Sequence, residues 1–324
     1  MTFGSIRKRM GTTAAVVALT LTTAAAAFAQ GEGTAETGPY AEEQVHVTIP
    51  GMEGSCTLLW ISDMHICSYP DDPDVDEGHA AEAKERSQLL RNSQGVSSLD
   101  NWKRLSAGID AYGARCVVLG ADMIDYASAA NLDALGQGLA DLDSDWIYIR
   151  ADHDYGRWYG KMGIKKMRSL HRALAPQDPV WVRRYDEFTL VGLDNTTSAL
   201  SEEALAEFTA LCEEGTPIVL CTHVPIDQPP QARENAQDAS LASLSAEGWG
   251  GRVLCWGDGD EYDTGRCDTM AELTDLIFAP GSPVAAVLSG HLHQSWEGSL
   301  TDTCIEHVFS AAYEDHIGVI TLSG

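Results

Sequence analysis

Positive charge is scarce in this sequence. Lys and Arg number 21 against 48 Asp and Glu, a formal net charge of −27. Such a surface repels a polyanion, so no nucleic acid polymer is expected as a partner. It leaves room for a small phosphate ester, because a local metal charge overrides the distant field. The eight cysteines include no C-x-x-C pair, which argues against a structural zinc knuckle. Beyond the first thirty residues no apolar run is long enough to span a bilayer. There is no internal repeat and no clear linker, so one domain over 46–324 is the simplest organisation.

The N-terminus differs from the rest. Arg7, Lys8 and Arg9 precede an Ala-rich apolar stretch, and Ala27-Phe28-Ala29 fits a small-x-small cleavage pattern. Residues 1–29 therefore read as a signal peptide, and an exported protein is expected, whether secreted, periplasmic or held at the cell surface. Residues 30–45 are small, polar and acidic and read as a flexible leader. Export invites disulfides, with Cys255–Cys267 the best local pairing; Cys116 and Cys221 lie in apolar runs and read as buried thiols.

Apolar runs then alternate with helical patterns. "CTLLWIS", "CVVLGA", "WIYIR", "FTLVGL", "PIVLC" and "VAAVLSG" predict buried strands, and "IEHVFSAA" and "IGVITLS" predict more strand near the C-terminus. Helices are predicted between them, the last capped by Ser198 or Ser201 and ended by Gly215. The alternation indicates an α/β fold. Residues 66–97 and 224–268 read as insertions; their acidic stretches lack a calcium-loop pattern. Trp249 and Trp256, with Arg91, Arg157, Lys161 and Arg252, are candidate substrate contacts whose ordinary alternative is a packed loop or a solvated charge.

The chemistry gathers at the ends of the strands. Asp63-Met64-His65, Asp122, Asp152-His153-Asp154, His223 and His291-Leu292-His293 each succeed an apolar run. Carboxyl ends of parallel strands share one sheet edge, so the five segments converge. Five of the ten histidines fall there, with no Lys or Arg among them. Burying such groups without a cation is costly, and two metal ions resolve the problem. Carboxylate with imidazole suits Zn, Mn, Fe or Mg. In Asp63-x-His65, strand alternation would send both side chains the same way.

The ordered set Asp63-x-His65, Gly120-Ala121-Asp122-x-x-Asp125, Asp152-His153-Asp154, His223 and Gly290-His291-x-His293 resembles the calcineurin-like metallophosphoesterases, over roughly residues 56 to 295. The resemblance implies a four-layer αββα sandwich, two mixed β-sheets flanked by helices, with a dinuclear centre of divalent or trivalent ions. It implies Asp63, His65 and His293 as ligands of a first metal, Asp122 as the bridging carboxylate, and Asp152, His223 and His291 as ligands of a second. His153 would assist the leaving group and Asp154 would orient it, while Asp125 would support the bridging turn or, in a rival register, be the bridge. The implied reaction is in-line attack on a phosphate mono- or diester by a hydroxide shared between the ions.

Two positions depart from the family pattern. Gly120-Ala121-Asp122 carries an extra small residue, and Ala151-Asp152 replaces Gly-Asn. The carboxylate of Asp152 adds a negative charge and removes an NH2 donor, which puts attraction for an anionic substrate and the metal preference in question. A weakly active or inactive binding protein is the alternative, and a hydrolase built on Cys67 or Cys221 is a third reading.

Overall fold

The central strands are continuous apolar runs because both faces of each sheet are covered. The structure is a computed structural model and describes residues 40–140, 142–156, 158–176, 180–195, 200–226 and 268–324. The described residues belong to one unit, Pro39–Gly324.

Strands β1 (Ala41–Thr48), β2 (Ser55–Ile61), β3 (Cys116–Gly120), β4 (Trp146–Ile149) and β11 (His316–Ser323) make a five-stranded sheet ordered β1-β11-β2-β3-β4. Strands β5 (Val180–Arg184), β6 (Thr189–Leu193), β7 (Ile218–Cys221), β8 (Val284–Ser289), β10 (Ile305–Val308) and β9 (Trp296–Ser299) make a six-stranded sheet in that order. Both sheets are mixed: β2, β3 and β4 run parallel, as do β6, β7, β8 and β10, while β11–β2, β5–β6 and β10–β9 are antiparallel.

Among the described residues seven α-helices accompany the sheets: α1 (Ala80–Leu89), α2 (Ser98–Ser106), α3 (Ala129–Leu139), α4 (Asp152–Tyr155), α5 (Ile164–Leu174), α6 (Glu202–Glu214) and α7 (Asp268–Phe278). Ser97, Ser128 and Ser201 accept amide bonds at the starts of α2, α3 and α6, and Gly215 ends α6 with φ 73°. Strand alternation sorts the six-stranded sheet into two faces. Ile218 and Leu220 pack with Phe208 of α6 and Leu273 of α7, whereas Val219 and Cys221 join the core shared with the five-stranded sheet. That larger core also takes in Trp102 and Leu105 of α2, Leu132 and Leu135 of α3 and Met167 of α5. Helix, sheet, sheet and helix are thus stacked as the four-layer sandwich that the motif order implied.

Residues 41–45, expected as part of a leader, are strand. They belong to β1, an edge strand laid parallel to β11. Its exposed, acidic face hides it in the sequence, while Val45 and Val47 are buried. The expected signal peptide, Cys255, Cys267, Trp249, Trp256, Arg157 and Arg252 lie outside the described residues, as does Ser198. The six described cysteines are free thiols, with Cys116 and Cys221 buried. Among the described residues no helix is long and apolar enough to cross a membrane.

Candidate metal centre

At the ends of β2, β3 and β8 the backbone leaves the strand by left-handed turns. Asp63 (φ 54°), His65 (47°), Ala121 (72°), Asp122 (48°), His291 (70°) and His293 (54°) all have positive φ. Non-glycine residues rarely adopt this region, and such strain collects at functional sites. Asp63 and His65 therefore meet through two left-handed residues, and not through strand alternation, because β2 stops at Ile61. The two turns of the five-stranded sheet run on together, with Asp63 N donating to Ala121 O (3.0 Å) and His65 N to Asp122 O (2.9 Å). Gly290 brings the second sheet close: a Cβ there would lie 2.5 Å from Asp63 Oδ2. The Asp63 carboxylate accepts from the His291 amide at 3.1 and 3.2 Å.

Two clusters result. Asp63, His65 and His293 offer ligand atoms within 4.8 Å of one another, and so do Asp122, His223 and His291. In the first, His293 Nε2 is 3.3 Å from Asp63 Oδ1 and 3.2 Å from His65 Nε2. In the second, His223 Nε2 is 3.1 Å from Asp122 Oδ2 and 3.2 Å from His291 Nδ1. Asp122 Oδ2 also lies 3.9 Å from His65 Nε2, so this carboxylate stands between the clusters. His223 Nδ1 donates to Gly120 O (3.0 Å), which leaves Nε2 to face the site.

Two ring nitrogens 3.2 Å apart cannot both carry a proton comfortably, and each pair splits accordingly. Burial opposes charge on His223, but Asp122 outweighs it and lifts the ring to about 10. Burial and then the His223 charge lower His291 to about 4. His293 is raised against its burial by Asp63, while burial and then His153 lower His65 to about 4. Asp122 is held well below the usual carboxylate range, against burial, by His223 and His153. Its Oδ1 is buried without a hydrogen-bond partner, as is Oδ1 of Asp152. Converging imidazole nitrogens and orphaned carboxylate oxygens, with a carboxylate between them, fit metal ions.

Asp152 opens α4 and lies outside the reach that joins Asp122, His223 and His291. It is close enough to feel them: burial, then the Asp122 charge, pushes its carboxyl up to about 6. His153 forms a third group with His65 and Asp125. Its Nδ1 donates to Asp125 O (2.7 Å), and its side chain is 21% exposed.

The supporting carboxylates exchange the roles expected of them. Asp154 does not orient His153. It accepts from the amides of Asp122 (3.1 Å), Met123 (3.1 Å), Ile124 (3.3 Å) and Ala151 (2.8 Å), and from Tyr148 OH (2.7 Å). A buried carboxylate is the acceptor that a left-handed turn with inward amides requires, so Asp154 holds the Asp122 turn. Asp125 is the residue at the histidines, 3.2 Å from His65 Nδ1 and 3.4 Å from His153 Nδ1. Arg86 of α1 completes it, with Nε and Nη2 each 2.9 Å from Asp125 Oδ1. Sequence reasoning missed Arg86, which lies in a charged helix and looks solvated. Arg91 is exposed and binds Gly95 O of its own turn, and Lys161 is exposed.

No protein-family model and no curated protein matches this sequence. Solved structures similar to it include a dimetal phosphatase from Danio rerio, at 13% identity and a TM-score of 0.48, covering 80% of this chain and 88% of the other. A purple acid phosphatase from yellow lupin seeds aligns at 13% identity and TM-score 0.46, over 80% of this chain and 44% of that one. The NAD nucleotidase of Haemophilus influenzae aligns at 11% identity and TM-score 0.40, over 83% and 47%. The chain spans less than half the length of the last two. In its own right the molecule is an α/β sandwich with two His–carboxylate clusters at facing strand ends. That is the architecture implied by its resemblance to the calcineurin-like metallophosphoesterases.

Proposed function

We propose that this protein is an exported, metal-dependent phosphoesterase acting on small phosphate mono- or diesters. The observation that carries the reading is the pair of clusters with Asp122 standing between them and His153 beside them. Asp63, His65 and His293 would hold one ion, and His223 and His291 the other, with Asp122 between. Asp152 stands beside the second set as a further oxygen donor. When bound, the metal pair supplies Lewis acidity and an activated water. The chain's own task is to present a proton. Burial opposes charge on His153, but Asp122 and then Asp125 lift it to about 9, so the ring carries two protons: Nδ1–H goes to the Asp125 carbonyl and Nε2–H remains for the departing oxygen. Asp125 and Arg86 fix the ring, and Asp154 fixes the turn that carries Asp122. Export rests on the N-terminal pattern of residues 1–29.

The position of Asp152, outside the second cluster, favours the alternative of a weakly active binding protein. One experiment separates the two. Metal analysis of the purified chain is paired with assays on p-nitrophenyl phosphate and bis-p-nitrophenyl phosphate. Two ions per chain, turnover, and loss of turnover to a chelator are expected. Bound metal without turnover of either ester would favour the binding protein.

A further inference from the structure

Trp158 is one of two large apolar side chains exposed among the described residues; the other, Leu89, closes α1. Its indole is 39% exposed and packs edge-on against His153, with ring centroids 4.2 Å apart and planes at 67°. Gly156 makes the seat. A Cβ there would meet Cη2 of the indole at 2.9 Å and Cζ2 at 3.0 Å, so a larger residue would push the ring away. The indole is thus held against the bare backbone on one side and against His153 on another, and remains part open to solvent. Beside the same cluster, Tyr313 lies 6.0 Å from His65 and 5.5 Å from His293 by ring centroids.

An exposed indole is costly to leave in water and is well suited to covering a flat ring. It adjoins the histidine assigned to the departing oxygen, so the group it covers is the leaving alcohol. Arg86, the nearby guanidinium, is engaged by Asp125. Among the described residues, aromatic contact is therefore the recognition that this side of the site offers. We propose that Trp158 is a specificity-determining platform for phosphate esters whose alcohol carries a flat aromatic ring. The proposal rests on the phosphoesterase reading above.

The test compares benzyl phosphate with cyclohexylmethyl phosphate. The two alcohols are close in length and acidity, and the saturated one is the more hydrophobic, so a preference for benzyl reads stacking. The metal-loaded wild type should favour the benzyl ester by about tenfold in kcat/KM, the size of one aromatic contact. Trp158→Ala should abolish the preference, costing the benzyl ester about tenfold more than the cyclohexylmethyl ester; Trp158→Phe should retain most of it. Calorimetric binding of benzylphosphonate and cyclohexylmethylphosphonate repeats the comparison without chemistry. Equal losses on both esters, or an unchanged preference in Trp158→Ala, would overturn the platform. Ring-selective binding without turnover of any ester would overturn the phosphoesterase reading and keep the platform. Absence of binding by both phosphonates would overturn the platform.

Discussion

Glu43, Glu297, His307 and His316 carry the same carboxylate and imidazole groups as the strand-end clusters, yet they sit on regular strands. Glu43 on β1 places Oε2 3.3 Å from His307 Nε2 and Oε1 3.3 Å from His316 Nδ1. His307 Nδ1 is 3.1 Å from Glu297 Oε2, its direct cross-strand partner. Here each histidine faces a carboxylate, and among the described residues no ring nitrogens face each other in this group. The result is a clasp of histidine–carboxylate contacts that ties β1 and β11 of one sheet to β10 and β9 of the other. At the strand ends, nitrogens face nitrogens, oxygens are orphaned, and the backbone is left-handed. Composition is alike in the two regions. The difference lies in whether lone pairs are used up within the protein or left to converge.

The sharpest way to break the comparison is Asp122→Asn. It should lower kcat/KM by more than the roughly hundredfold cost of losing an outer partner, and reduce bound metal. Arg86→Ala should cost about tenfold to a hundredfold in activity with metal content retained, because Asp125 then loses its guanidinium; Arg86→Lys, lacking the fork, should recover part.

Glu43→Gln should do the reverse: lose about 1–3 kcal/mol of stability in denaturant melts and leave kcat/KM unchanged. Burial opposes ionisation of Glu43, but His307 and His316 hold it below its ordinary 4.5. Its contribution is therefore whole above that value and fades as pH falls toward the depressed folded pKa. Glu306→Gln on β10 is read through pH. Glu306 is fully buried, accepts from Ile226 N at 2.7 Å, and has an unpartnered Oε2; burial pushes it up to about 8. Between its ordinary 4.5 and about 8 the folded chain keeps a proton that the unfolded chain has lost, so stability declines as pH rises through that window. The Gln variant should flatten the decline, by about 1 kcal/mol or more at roughly pH 8.

Buried strands were legible because covering both faces demands unbroken apolar runs, as in β3 and β8. The edge strands β1 and β9 were not, because alternate residues such as Glu297 face solvent. β5, whose exposed end is Arg183-Arg184, was missed for the same reason. The site blocks were legible because each lies just past a strand. Their geometry was not: residue order does not tell which amides a carboxylate will meet. Asp154 and Asp125 exchanged roles for that reason, and Arg86 reaches its partner 39 residues away.

Asp63 and His291 stand 228 residues apart in the chain, and so do His65 and His293. Contacts of such separation form only after long stretches of chain have closed on themselves. The sequence-neighbouring parallel strands β2-β3-β4 and β6-β7-β8 can pair and dock their helices before these partners meet. Recovery of turnover after dilution from denaturant should therefore lag the return of helical circular dichroism. The crevice serves as a clock for the moment when the two halves of the molecule find each other.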